Sequence, residues 1–300
     1  MTFSGNGIQY RYEENEPRLF RDGSGSVIFR NKRGIVMDKI ISFKRYICGY
    51  EEFNFNSLYR NCSDGIKKLP VNVFMLEHKK YGVILVNSGC SKLLRLNATA
   101  FSRLLSKHKL RFTDDDSIKA RLLSENMDPM IVKKVLLTHC SPECCGGLNL
   151  LPKYELLSIA RVLTMVWLAD PSDGIMKNTL PDADTPKKAA GIFKGKTVLS
   201  DYFKWVFDVF GDGSILAVDL TGCFGAMAGF FLPEKNIFIA ADAFIDEAAL
   251  SDGLIPSDKL LKMTAYPDDY LSILATLRRL KKDHPEITLI FSHSEVVDSF

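Results

Sequence analysis

The residues best equipped for chemistry sit in one run, His139-Cys140-Ser141-Pro142-Glu143-Cys144-Cys145-Gly146-Gly147. It follows Val135-Leu136-Leu137-Thr138, an apolar stretch that reads as a buried β-strand. Imidazole, carboxylate and thiolate are normal zinc donors, and a glycine pair lets the backbone turn sharply. A strand that ends on His139, Glu143 and Cys144 is therefore a way to present metal ligands. The same residues allow a second chemistry, with Cys144 as a nucleophile assisted by His139 or by His293 near the C-terminus. Cys144-Cys145 as a redox pair is the weaker reading, because adjacent cysteines seldom reach disulfide geometry without strain.

Strands and amphipathic helices must hold such a run in place. Strand-like patterning covers Ile35–Ile47, Val71–Leu76 and Gly82–Val86, the last two joined as a hairpin through His78-Lys79-Lys80-Tyr81. Helical periodicity appears in Ala98–His108, Asp115–Glu125 and around Leu271–Lys282, and Asp128-Pro129 starts a short helix leading into the strand before His139. Further buried strands are expected at Ile215–Leu220, Ile237–Ala241 and Ile287–Phe291. Residues 1–34 form a polar extension with two short strands, Ile8–Tyr12 and Ser26–Arg30. Residues 151–200 carry an apolar segment and a Pro/Asp/Gly-rich loop but no readable motif. The alternation of buried strands with amphipathic helices predicts an α/β protein.

Composition narrows the function classes. The chain has 300 residues, 46% hydrophobic and 25% charged, so it can bury a large core without a disulfide or metal staple. Its +3 formal charge, 39 basic against 36 acidic residues, is too small a surplus to argue for nucleic acid or an anionic membrane. The basic run Arg278–Lys282 falls where a helix ends and cations favour the C-terminus. No apolar run approaches the ~18–20 residues needed to span a bilayer. Seven cysteines at irregular spacing, with no secretory leader, predict reduced thiols and a cytoplasmic protein. His78 and His108, in a hairpin link and at a helix end, read as surface residues, while Cys48, Cys62 and Cys90 read as small hydrophobes.

The motif resembles Thr-His-x-His-x-Asp-His-x-Gly-Gly of the metallo-β-lactamase superfamily. Thr138, His139, Gly146 and Gly147 match it, while Ser141, Glu143 and Cys144 replace His, Asp and His. Other segments resemble the family in order and spacing. Val86-Asn87-Ser88-Gly89 stands where Val-Asp-Thr-Gly is usual, and Phe210-Gly211-Asp212-Gly213-Ser214 precedes Cys223 at the position of a ligand histidine. Asp242 ends a strand where a bridging aspartate is usual, and Ser292-His293-Ser294 stands for Gly-His-Asp. The resemblance covers roughly residues 70–150 and 205–295, and its nearest branch is the lactonase-like hydrolases.

The resemblance implies an αββα sandwich of two mixed sheets flanked by helices, a single domain over 1–300 with 1–34 as an extension and 151–200 capping the active-site mouth. It implies zinc, or iron or manganese, held by His139, Glu143, Cys144, Cys223, Asp242 and His293. Asp242, Glu143 and Cys144 would be central to the chemistry, and the reaction would be hydrolysis of an ester, lactone or similar acyl bond in a small molecule. Ser141 is the one position that lost a competent ligand, and Asn87 and Ser294 replace supporting carboxylates. Two outcomes stay open: a re-tuned metal site with altered hydrolysis, or an empty site on a catalytically inactive binding or regulatory protein. Neither a nucleic-acid nor a membrane partner is expected, and the chain would be a monomer or homodimer.

Overall fold

The computed structural model describes residues 18–21, 27–31, 34–36, 38–96, 109–168, 179–180, 187–189, 191–250 and 254–295. The chain divides into two compact units, Met1–Lys39 and Ile40–Phe300. The small unit contains an antiparallel sheet of β1 (Arg18–Arg21), β2 (Val27–Asn31) and β3 (Gly34–Val36), in that order. The expected strand at Ile8–Tyr12 and the expected helix at Ala98–His108 lie outside the described residues.

The large unit holds two sheets. The first contains β4 (Ile40–Asn54), β5 (Ile66–His78), β6 (Gly82–Val86), β7 (Leu110–Arg111), β8 (Val132–Leu136), β9 (Glu155–Ser158) and β10 (Lys187–Ala189), in the order β10-β9-β8-β6-β5-β4-β7. Pairing is parallel from β10 through β6 and antiparallel from there to β7. The second sheet runs β11 (Gly191–Ile192), β12 (Val206–Asp208), β13 (Leu216–Asp219), β14 (Ala228–Leu232), β15 (Ile237–Ile239) and β16 (Thr288–Ile290); only its last pair is parallel. Both sheets are mixed, as the family resemblance implies.

Side-chain alternation explains the layers. In β15, Ile237 and Ile239 join the core shared with Phe43, Leu76 and Leu136 of the first sheet, while Phe238 faces the opposite way. Ala217 against Leu216 and Val218 in β13 shows the same alternation. The outer face of the second sheet is covered by α6 (Pro267–Asp283), after α1 (Phe55–Leu58), α2 (Ile118–Ser124), α3 (Pro142–Cys145), α4 (Ala160–Leu168) and α5 (Asp258–Met263) in chain order. Helix α6 starts on Pro267 with Asp268 and Asp269 in its first turn and ends with Lys281 and Lys282, so both ends complement its dipole. Its buried residues Tyr270, Leu274, Leu277 and Leu280 form one stripe, each contributing about 2 kcal/mol by burial. Ile118 and Leu122 of α2 and Val162 and Leu163 of α4 pack into the core of the first sheet. Among the described residues, no helix is long and apolar enough to cross a membrane.

His78 departs from its expected exposed position. It is 2% exposed, because its ring is drawn under the β5–β6 turn against Tyr81 and Phe210.

Candidate metal centre

The seam between the two sheets opens where β8 ends. Thr138 O accepts a hydrogen bond from Ala228 N at 2.7 Å, and His139 forms a single antiparallel bridge with Met227. The chain then enters α3, which starts on Pro142 after Ser141. Its return is fixed by close backbone contact. A Cβ on Gly147 would lie 2.4 Å from Ser88 O, and one on Gly146 would lie 2.7 Å from Gly89 O. Ser88 Oγ donates to Cys144 O at 2.8 Å and accepts from Gly147 N at 3.1 Å. The glycine pair in the motif is thus required by main-chain approach at this point.

This turn brings His139, Glu143 and Cys144 together, all buried, with ligand atoms within 4.8 Å of one another. His139 Nε2 lies 3.8 Å from Glu143 Oε1, 3.4 Å from Asp242 Oδ2 and 3.7 Å from Cys144 Sγ. The other ring nitrogen is committed. Thr138 Oγ1 donates to Asn87 Oδ1 at 3.0 Å and so accepts from His139 Nδ1 at 3.0 Å. That chain leaves Nε2 to face the carboxylates and thiol. Asn87 therefore still serves as the acceptor that aligns Thr138, receiving its backbone N–H as well at 3.0 Å.

Asp242 follows Ala241, which holds a left-handed φ of 50°, just as Asn87 holds 64° at the end of β6. Non-glycine residues in this region concentrate where a site dictates the backbone. Burial alone would raise the Asp242 carboxyl, but His139, then His293 and a hydrogen bond from Ser292, hold it well below the usual carboxylate range. Burial pushes the His139 pKa down, and Cys144 and Asp242 override it, leaving it well above the ordinary histidine value. Burial raises the Cys144 thiol, with His139 working against it.

Asp242 is influenced electrostatically by His293 and itself acts on Cys223. Burial pushes the half-buried Cys223 thiol up to about 12, with Asp242, His139, Glu143 and Glu51 also acting on it. Its loop is tied down by Ala265 N donating to Cys223 O at 2.9 Å and Tyr266 N to Gly222 O at 2.9 Å. His293 Nδ1 donates to Pro70 O at 2.8 Å, fixing the tautomer that turns Nε2 toward Glu51 Oε2 at 3.9 Å. Of the six residues expected at the site, His139, Glu143, Cys144 and Asp242 lie together, while Cys223 and His293 are linked to Asp242 by electrostatic influence.

Two residues escaped the sequence reading. Phe224 lies on the His139 ring, centroids 4.1 Å apart, and nothing in the sequence marks an aromatic after Cys223 as its cover. Glu51 is buried in β4, and its neighbours Tyr50-Glu51-Glu52-Phe53 give no sign of which glutamate turns inward. The cysteine pair also resolves differently: Cys145 Sγ lies 4.0 Å from Cys140 Sγ, while Cys144 turns to the histidine.

Asp242 Oδ1 and Ser141 Oγ are both buried without a hydrogen-bond partner, a costly condition unless something polar meets them. Together with imidazole, carboxylates and thiols, these atoms fit a divalent cation.

Comparison with known proteins agrees with this architecture. No family model matches the sequence, and no curated protein matches it. Solved structures do. An N-acyl homoserine lactone hydrolase, determined with its product N-hexanoyl-L-homoserine at the catalytic metal centre, superimposes with a TM-score of 0.63 at 15% identity, over 86% of this chain and 95% of that one. AbOPH, a hydrolase in the beta lactamase superfamily, gives 0.55 at 11% identity over 86% and 91%. AidC, a dizinc quorum-quenching lactonase, gives 0.51 at 11% identity over 91% and 88%.

Proposed function

The metallo-β-lactamase fold is the premise, and on it we propose a metal-dependent hydrolase whose donor set is re-tuned toward sulfur and carboxylate. The substrate class is a small molecule with an ester, lactone or similar acyl bond. The observation that carries this reading is the buried convergence of His139, Glu143, Cys144 and Asp242 at the seam of the sheets. Structurally similar proteins that hydrolyse lactones at metal centres support it.

His139 Nε2, Glu143, Cys144 and Asp242 would hold the metal, with Cys223 and His293 beside them; zinc suits this donor set best, and iron or manganese are the alternatives. When bound, the metal supplies Lewis acidity and lowers the pKa of water. The protein does the rest. Asn87 and Thr138 keep the proton on His139 Nδ1 and aim Nε2 inward. Phe224 covers one face of that ring and keeps water from it. Glu143, Asp242, Cys144 and Cys223 bring up to four negative charges, so the centre is less Lewis-acidic than a histidine-rich one, and slow or altered hydrolysis follows.

Metal analysis of the gently purified protein, with a pH-drift assay on generic lactones, tests this reading. Near-stoichiometric zinc, iron or manganese and lactone opening that disappears in Asp242→Asn are expected. A protein that stays metal-free through zinc titration overturns it. One observation favours a second reading, a non-catalytic binding protein: Asp242 at 3.4 Å and Phe224 at 4.1 Å already pair and cover His139. That reading expects small-molecule binding without turnover.

A further inference from the structure

Cys140, Cys144 and Cys145 crowd one short loop, and the metal-dependent reading uses only Cys144. The other two meet each other. Cys145 Sγ lies 4.0 Å from Cys140 Sγ and 3.9 Å from His139 O, with the Cys145 thiol as donor in both contacts. Chain order suggests the vicinal pair Cys144-Cys145 instead, but adjacent cysteines seldom reach disulfide geometry without strain. Cys144 Sγ is moreover turned to His139 Nε2 at 3.7 Å.

The two sulfurs have unequal surroundings. Cys145 is 0% exposed in the core of the first sheet, and its N–H is held by Ser141 O at 2.9 Å. Cys140 is half-buried at the edge of that core, in the link between the His139–Met227 bridge and α3. A small oxidant therefore meets Cys140 first, with Cys145 already in contact behind it. An accessible thiol backed by a second thiol is the arrangement in which a first oxidation is resolved to a disulfide.

We propose that Cys140 and Cys145 form a reversible disulfide when the protein meets a peroxide, and that this bridge weakens the metal centre. Cys140 gives up its thiol proton and its sulfur attacks hydrogen peroxide. The O–O bond breaks, one oxygen leaves as water, and Cys140 becomes a sulfenic acid. Cys145 sulfur then attacks Cys140 sulfur; the S–S bond forms, the S–O bond breaks, and the departing hydroxide takes the Cys145 proton as a second water. The two thiols are oxidised by two electrons and the peroxide is reduced by two. A small dithiol reverses the bridge by exchange. Closing the sulfurs by roughly 2 Å moves the chain neighbours of His139 and Cys144, whose donor atoms must hold to about 0.2 Å to bind metal. This second half rests on the metal-dependent reading of the site.

The test treats the full-length, metal-free protein with a small excess of hydrogen peroxide, blocks remaining thiols in denaturant, and cleaves after glutamate. Cleavage at Glu143 separates Cys140 from Cys144 and Cys145, so a bridge to Cys140 appears as two linked peptides that dithiothreitol parts. Linked peptides are expected in the parent and in Cys144→Ser, and their loss in Cys140→Ser and Cys145→Ala. Linkage that survives in Cys145→Ala, a vicinal Cys144–Cys145 bridge, or sulfinic acid at Cys140 with no bridge overturns the proposal. Should Cys145→Ala not fold, Cys140→Ser and Cys144→Ser decide the pairing without it. Zinc chloride is then titrated into oxidised and reduced protein. Oxidation should weaken zinc by at least about tenfold, as loss of an orienting neighbour does, and dithiothreitol should restore it. Cys140→Ser given the same peroxide should keep its untreated affinity. A mapped bridge with unchanged zinc affinity overturns the coupling to the metal centre. A reduced parent that takes up no zinc defeats the metal-dependent reading and that coupling, while peptide mapping still decides the disulfide.

Discussion

Two histidines buried at opposite ends of the large unit make a natural experiment. His78 sits under the β5–β6 turn with Nε2 3.9 Å from Asp212 Oδ2, and His139 sits at the seam with Nε2 3.4 Å from Asp242 Oδ2. Both are buried, both have aromatic neighbours and both face an aspartate. They differ in the other ring nitrogen. His78 Nδ1 accepts the backbone N–H groups of Lys80 at 3.0 Å and Tyr81 at 3.3 Å, so its Nε2 carries the proton and the ring braces a turn. His139 Nδ1 donates to Thr138, so its Nε2 is the nitrogen that faces two carboxylates and a thiol. Whether Nδ1 accepts from backbone N–H groups, as in His78, or donates to a neighbouring hydroxyl, as in His139, separates a structural histidine from a candidate ligand.

Exchanging the two should break or sharpen that comparison. The largest effect is expected for His139→Ala, which should cut zinc affinity by at least about 100-fold, read by metal analysis and titration. Retention of parental affinity would remove His139 from the centre. Next is Asn87→Ala, which leaves the donors in place but removes the acceptor that aligns Thr138; zinc affinity should fall about 10- to 100-fold. For His78→Ala the effect moves to another observable. Losing the acceptor for two backbone N–H groups and the ring contacts should cost about 1–3 kcal/mol in urea unfolding, with zinc binding unchanged. A loss of zinc in that variant would erase the distinction between the two histidines.

The smallest effect belongs to an ion pair in water. The Lys44 ammonium hydrogen-bonds Glu125 at 2.6 Å and holds its carboxyl below the ordinary value, with side chains 41% and 36% exposed. A depressed carboxyl pKa stabilises above the unfolded value of about 4.5, and the benefit is lost as pH falls through the lower folded value. Solvent screening keeps it well under 1 kcal/mol. Lys44→Ala should therefore barely shift the urea midpoint at pH 7, and the parent's advantage should vanish in acid.

Much of this architecture was legible before any coordinates. The strand ends carrying His139, Asp242 and His293 stood out because each follows a short apolar run, and the glycine pair announced a close backbone approach. What escaped depends on contacts distant in sequence. Glu51 turns inward where β4 slips its register against β5, and no local alternation encodes that slip. His78 looked exposed because it borders a lysine-rich turn, yet Phe210, far along the chain, closes over it. Asn87 read as the loss of a supporting carboxylate, whereas its amide oxygen keeps the acceptor role toward Thr138. The third strand of the N-terminal sheet, Gly34–Val36, merged in the sequence with the β-patterned run that follows it.

The packing of Gly146 and Gly147 against the Ser88–Gly89 main chain has an evolutionary consequence. The loop's shape is held by backbone carbonyls, two absent Cβ atoms and the Ser88 hydroxyl. None of those contacts passes through the side chains at positions 141, 143 or 144. Replacements there leave the loop's anchor points untouched, so a lineage can trade one donor for another in single steps without crossing an unfolded intermediate. Selection on donor chemistry and selection on foldability act here on different atoms, and a chain can keep this loop while its histidines give way to serine and cysteine.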